Sequence, residues 1–122
     1  NPFLIHAKLG VYIAKEKYDI HDLGILSAIR WHTTGKEDMS SLEKIIYIAD
    51  YIEPGRDRAP NLSWVRKVAF MDLDEGMYCI LKDSLSYLET SAKLIDPYTE
   101  KAFQYYEALH LGKKEKENTD HE

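Results

Sequence analysis

Residues 29–56 read IRWHTTGKEDMSSLEKIIYIADYIEPGR. Two apolar helical patterns meet in this stretch across a short polar joint. The first carries Leu23, Ile25, Leu26 and Ile29, takes Asp19 or Asp22 as its cap, and should end near Gly35, a residue able to adopt left-handed backbone geometry. It delivers His32 at its last turn. The second starts at Ser40 or Ser41, with Glu43 or Lys44 following, and is apolar over most of its circumference through Leu42, Ile45, Ile46, Ile48, Ala49 and Ile52. Such a helix is predicted to be central, and Pro54-Gly55 terminates it.

The same periodicity extends outward in both directions. Pro2 opens a helix with Leu4, Ile5, Leu9, Tyr12 and Ile13 as its stripe, fading near Tyr18. After a charged loop, EPGRDRAPNLS, a fourth helix is predicted over Leu62 to Phe70. A longer one follows from about Leu73 to Ile95, burying Met77, Ile80, Leu81, Leu85, Leu88 and Leu94. Asp96-Pro97 breaks it and starts a last helix through Phe103, Tyr106 and Leu109. No segment shows clean period-two alternation bounded by hairpin turns, so the expected fold class is all-α, a bundle of about six helices. Residues 1–110 form the expected domain. The tail 111–122, GKKEKENTDHE with its preceding leucine, has charge without apolar periodicity and is expected to be disordered.

A chain of 122 residues fits one domain with a real core. Its net charge of −5 argues against a nucleic-acid polymer as partner, since no global basic field would gather one. The lone cysteine, Cys79, excludes an internal disulfide framework and suits a reducing cytosol; it is read as a core residue. No apolar run approaches the ~20 residues of a membrane span, and no signal peptide is recognised. A cytoplasmic protein is expected, with no membrane partner.

His6 precedes Leu9 by three positions, His32 continues the face of Ile25 and Ile29, and Asp50 follows Ile46 by one turn. Three ligand-type side chains are thus expected to point inward from three consecutive helices. Imidazole with carboxylate suits iron, manganese, cobalt or zinc, and a buried carboxylate is costly unless paired or ligated. The plainer reading stays open: a core histidine satisfied by hydrogen bonds, and an aspartate that caps a helix or pairs with an arginine. Thr33, Thr34 and Gly35 lie beside His32, and Arg56 and Arg58 follow Asp50. Hydroxyls and guanidinium forks suit phosphate oxygens, although from the residues alone helix capping by the threonines and surface pairing of the arginines with Glu53 and Asp57 are the favoured explanation.

The run AIRWHTTGKEDMSSLEKIIYIADYIEPGR, with LIH upstream and Asp96-Pro97 plus an aromatic-rich helix downstream, resembles the YqeK family of HD-domain hydrolases. The resemblance covers His6 to about Leu109, and HTTG followed by ADYIEPxR is its specific part. It implies an HD-domain-like fold and a metal-dependent enzyme that cuts diadenosine tetraphosphate symmetrically into two ADP. The family's ligand order implies His6, His32 and Asp50 as metal ligands, Asp50 and Arg56 in catalysis, and Thr33, Thr34, Gly35, Arg56 and Arg58 against the substrate. The implied cofactor is a divalent transition metal, a di-iron site in the intact protein, with manganese or cobalt as alternatives. The partner is a small nucleotide, and homodimerisation stays open.

The family's adjacent His-Asp doublet belongs upstream of His6, so the chain reads as the C-terminal portion of a longer domain. His21-Asp22 spells the same doublet at a different place, where Asp22 is expected to cap a helix and His21 to lie exposed. Ala7 stands where the family usually has glycine. An HD-fold hydrolase of another nucleotide phosphoester, or a non-catalytic helical module binding a nucleotide or partner, are the competing expectations.

Overall fold

The structure is a computed structural model that describes residues 2–52, 62–91 and 94–120, with side chains between residues 7 and 117 of that set. Six helices account for it: α1 (Pro2–Tyr18), α2 (Leu23–Trp31), α3 (Ser41–Tyr51), α4 (Leu62–Met71), α5 (Leu73–Thr90) and α6 (Pro97–Asp120). No strand occurs among the described residues. The all-α expectation is met.

Helix starts follow their caps. The Asp22 side chain accepts the Ile25 N–H at 3.0 Å and sets the start of α2, while His21 lies exposed and pairs with Asp19 at 2.6 Å. Ser40 and Glu43 form a reciprocal capping box on α3, in which Glu43 Oε1 accepts the Ser40 N–H at 2.8 Å and Ser40 Oγ accepts the Glu43 N–H at 3.2 Å. Asp72 caps α5 by accepting the Asp74 and Glu75 N–H groups. Asp96 accepts the Tyr98 N–H at 2.8 Å where α6 begins at Pro97.

Neighbouring helices pack in the order α1 on α2, α2 on α3 and α3 on α5, with α4 and α6 flanking α5. The main core joins Met39, Tyr47, Ile48, Val65, Ala69, Met77, Ile80, Leu81, Ala102 and Tyr106. Gly76 of α5 faces α4 so closely that an added Cβ would meet Ala69 at 3.1 Å, which is why a residue without a side chain stands at this crossing.

Several expected stripes are not buried. On α1, Leu9, Tyr12 and Ile13 are exposed, while Ala7 and Ala14 are buried and a Cβ on Gly10 would meet Ile29 at 3.1 Å. Among the described side chains, close approach along Ala7, Gly10 and Ala14 rather than Leu9, Tyr12 and Ile13 makes the contact with α2; Leu4 and Ile5 of the expected stripe lie outside the described side chains. On α3 the buried side chains are Glu43, Tyr47 and Ile48; Leu42, Ile45 and Ile46 are exposed, so this helix is not surrounded as its composition suggests. Helix α5 stops at Thr90, and Leu94, expected in its stripe, is 98% exposed beyond that end. Helix α6 runs on to Asp120, where the sequence predicts a disordered tail; Lys113 pairs with Asp72 across to α5, tying down its first extra turn.

Glu43 does more than cap. It is 4% exposed, accepts the Ser27 hydroxyl at 2.6 Å from α2, and lies 3.6 Å from Lys36. Burial alone would raise its pKa, but the hydrogen bonds from Ser27 and Ser40, with Lys36 nearby, outweigh this and hold it below the usual carboxylate value. A carboxylate depressed in the folded state adds stability above its unfolded pKa and loses it as pH falls through the folded value. Glu43→Gln is therefore expected to cost about 1–3 kcal/mol at neutral pH and progressively less in acid, read by urea unfolding at pH 7 and below pH 4. An equal cost at both pH values would contradict this account.

Candidate functional site

His32 forms the C-cap of α2, immediately after its last turn. A helix leaves its final carbonyls without partners, and the half-buried imidazole answers one of them: Nδ1 lies 2.6 Å from the Ile29 carbonyl. A carbonyl only accepts, so the proton sits on Nδ1. In the neutral ring this leaves a lone pair on Nε2, the arrangement that a metal-binding histidine needs. The Thr33 hydroxyl approaches that Nε2 at 3.2 Å.

The next two residues shape the loop. Gly35 adopts φ +74°, a left-handed conformation, and its N–H donates to the Trp31 carbonyl at 2.9 Å. Thr34 is 4% exposed; its hydroxyl donates to the Gly35 carbonyl at 3.0 Å, and its own carbonyl accepts the Thr99 hydroxyl of α6 at 2.9 Å. That hydroxyl is engaged inside the fold, unlike the half-buried Thr33 beside it. The loop is closed by Tyr106 of α6, whose phenolic oxygen accepts the Met39 N–H at 2.9 Å.

Asp50 lies in the last turn of α3, the helix that packs on α2, and it is exposed. The inward placement expected from the Ile46–Asp50 spacing is not met. These two residues share one face of α3, and the face applied to the rest of the fold is that of Glu43, Tyr47 and Ile48. His6 lies in α1, but its side chain is outside the described residues, as are Arg56 and Arg58. Among the described residues, no group of three or more His, Cys, Asp or Glu is placed to hold a metal ion.

The sequence expectations do not include the cationic and aromatic side chains gathered on Trp31, the residue before His32. The Arg30 guanidinium stacks over the Trp31 indole at 4.3 Å, Lys36 lies 5.9 Å from the same ring, and Tyr98 meets it edge-on at 4.8 Å. Arg30 Nη1 is buried without a hydrogen-bond partner. The adjacency of arginine and tryptophan was a visible signal; the arrival of Lys36 and Tyr98 depended on the Gly35 turn and on the docking of α6. Cys79 is half-buried, and burial first, with Glu75 and Asp83 nearby, pushes its thiol up, away from nucleophilic use.

The helical fold and the His32 loop define the class, an HD domain, and residues 1–55 match the family model of that description. Over most of its length the chain is similar to HD-domain proteins of the YqeK family. It is similar to the symmetrical bis(5'-nucleosyl)-tetraphosphatase of Bacillus subtilis (strain 168), with 40% identity over 99 residues, covering 81% of this chain and 53% of the relative. The protein of the same name from Halalkalibacterium halodurans is 43% identical over 96 residues, 79% of this chain and 51% of the relative. A crystal structure of a predicted HD superfamily hydrolase involved in NAD metabolism, from Clostridium acetobutylicum, superimposes with TM-score 0.84 at 37% identity, covering 88% of this chain and 57% of that one. The chain thus spans about half the length of the curated relatives it matches. No described helix is long and apolar enough to cross a membrane.

Proposed function

We propose that the protein is a metal-dependent phosphohydrolase that cleaves diadenosine tetraphosphate symmetrically into two ADP, and that residues 1–110 are the C-terminal portion of its HD-type domain. The observation that supports this most directly is the His32 ring, held by the Ile29 carbonyl with Nε2 as the ligand-type nitrogen, in a chain 40% identical to a symmetrical tetraphosphatase.

His6, His32 and Asp50 would hold a divalent transition metal, a di-iron pair in the intact protein, with manganese or cobalt as substitutes. The donor set of two imidazoles and a carboxylate fits such a cation, and the tautomer of His32 meets its requirement for an unprotonated nitrogen. When bound, the metal supplies Lewis acidity toward a phosphoryl oxygen and acidifies water. Asp50 is exposed, so its carboxylate is open to accept a hydrogen bond from the attacking water. The water oxygen adds to one central phosphorus as the bond from that same phosphorus to the bridging oxygen breaks; the bridging oxygen leaves on the other half, water's proton is lost to solvent, and ADP is left on each side. Arg56 and Arg58 would offset charge on the phosphates, Arg56 where it develops in the transition state. Thr33 faces the substrate, while Thr34 and Gly35 set the path of the loop that presents it. The nucleotide substrate and the lone cysteine support a cytoplasmic location, and homodimerisation is kept as part of the proposal.

Incubating the chain with diadenosine tetraphosphate and manganese or ferrous iron, then separating the nucleotides by chromatography, tests this reading. ADP as sole product is expected. AMP with ATP would exclude symmetrical cleavage, and an absence of product would exclude activity of these residues on their own.

A further inference from the structure

His32 is held from both sides of its ring, and the two contacts differ in kind. The Ile29 carbonyl at Nδ1 is fixed in the last turn of α2 and accepts only, at 2.6 Å. At Nε2 stands the Thr33 hydroxyl, 3.2 Å away on a side chain that can rotate. With the proton on Nδ1, the hydroxyl donates to the Nε2 lone pair. That lone pair is the one a cation would use, and hydroxyl and cation cannot share it.

We propose that Thr33 is the positioning residue of His32: its hydroxyl donates to Nε2 and must swing away for a divalent cation to bind there. The inference rests on the reading of His32 as a metal ligand and adds a competing group to it. Its consequence is that Thr33 sets the strength of cation binding from one step outside the ligand set. The same rotation frees a hydroxyl beside the site, where it can donate to a phosphate oxygen, so cation entry and readiness for substrate are coupled through one bond. Thr34 has no such freedom, because its hydroxyl is buried against Gly35. The two threonines of the HTTG run therefore divide into a movable group and a fixed one.

The test uses the full chain as wild type, Thr33→Val and Thr33→Ser. Valine keeps the branched shape without a donor, and serine restores the donor. Long-range 1H–15N spectra of the metal-free proteins read the ring nitrogens of His32. All three should show a protonated Nδ1, with the Nε2 resonance moved toward the unbonded position in Thr33→Val alone. Titration with Zn2+, a diamagnetic probe, should then give binding about 2- to 10-fold tighter in Thr33→Val than in wild type, the value of one neutral hydrogen bond released, and wild-type affinity in Thr33→Ser. An unmoved Nε2 resonance in Thr33→Val, or a cation affinity there equal to or weaker than wild type, overturns the proposal while the metal reading stands. Should Zn2+ leave the His32 ring resonances unmoved in all three proteins, the metal reading falls, and the proposal with it.

Discussion

Asp50→Ala is expected to reduce hydrolysis of diadenosine tetraphosphate by about 10³-fold or more, with little change in helical content or unfolding midpoint. A cation's electrostatic contribution to a phosphoryl transition state amounts to several kcal/mol, and each ~1.4 kcal/mol is a factor of ten in rate. On the proposed function, Asp50 would both hold the cation and orient water, and its removal would forfeit much of that. The structural side of the prediction comes from exposure: Asp50 sits outside the core on α3, and exposed substitutions of this kind generally change stability by no more than about 0.5 kcal/mol. Activity and stability should separate cleanly. Asp50→Asn, which keeps the shape and loses the charge, should resemble Asp50→Ala in turnover and wild type in its melt. Turnover within tenfold of wild type in Asp50→Ala would remove Asp50 from the mechanism.

The largest loss of stability is expected at Tyr106. Its side chain is 1% exposed and belongs to the main core, and its oxygen satisfies the Met39 N–H from 67 positions away in sequence. Tyr106→Ala should cost about 3–5 kcal/mol, the range for deleting a buried aromatic, which is a large part of the total stability of a domain this size. Tyr106→Phe keeps the ring but strands a buried N–H, at about 1–3 kcal/mol. Urea unfolding of both variants measures the two contributions.

The phenol also gives the protein an alkaline weakness. Burial pushes the Tyr106 pKa up to about 12, above an unfolded value near 10. A group raised in the folded state contributes fully below its unfolded pKa and loses that contribution as pH rises toward the folded value. Stability should fall by about 1.4 kcal/mol per pH unit from this group between pH 10 and 12, and Tyr106→Phe should show a shallower decline. Parallel slopes in the two proteins would assign the alkaline loss elsewhere.

Local signals in the sequence were reliable where the chemistry itself is local. Asp22 as a cap, a start at Ser40 or Ser41 with Glu43 or Lys44 following, and Asp96-Pro97 as a helix start are all local signals, and the helices begin there, with Ser40 and Glu43 forming the capping box. Periodicity served less well for burial. The stripe of Leu9 and Ile13 is regular, yet α1 approaches α2 through Ala7, Gly10 and Ala14; a stripe identifies a face and carries no record of what covers it. The same applies to Ile46 and Asp50, which share a face that the described residues leave open. At the site, the residue type of His32 was legible. Its tautomer was not, because the Ile29 carbonyl that fixes it is backbone and has no signature in composition.

The loop from His32 to Ser40 owes its order to a helix that begins more than fifty residues later. Two bonds fasten it there: the Thr99 hydroxyl to the Thr34 carbonyl, and the Met39 N–H to Tyr106. In kinetic terms the chain can form α2 and α3 from local contacts early, but the loop between them gains its anchors only after long-range closure by α6, the slow kind of event in folding. In the native ensemble the same dependence runs in reverse. Opening of α6 releases both anchors together, so the amide proton of Met39 should exchange with solvent as one unit with the first turns of α6 rather than with its sequence neighbours in α3, whereas the Gly35 amide, bonded to the Trp31 carbonyl, should exchange with the end of α2.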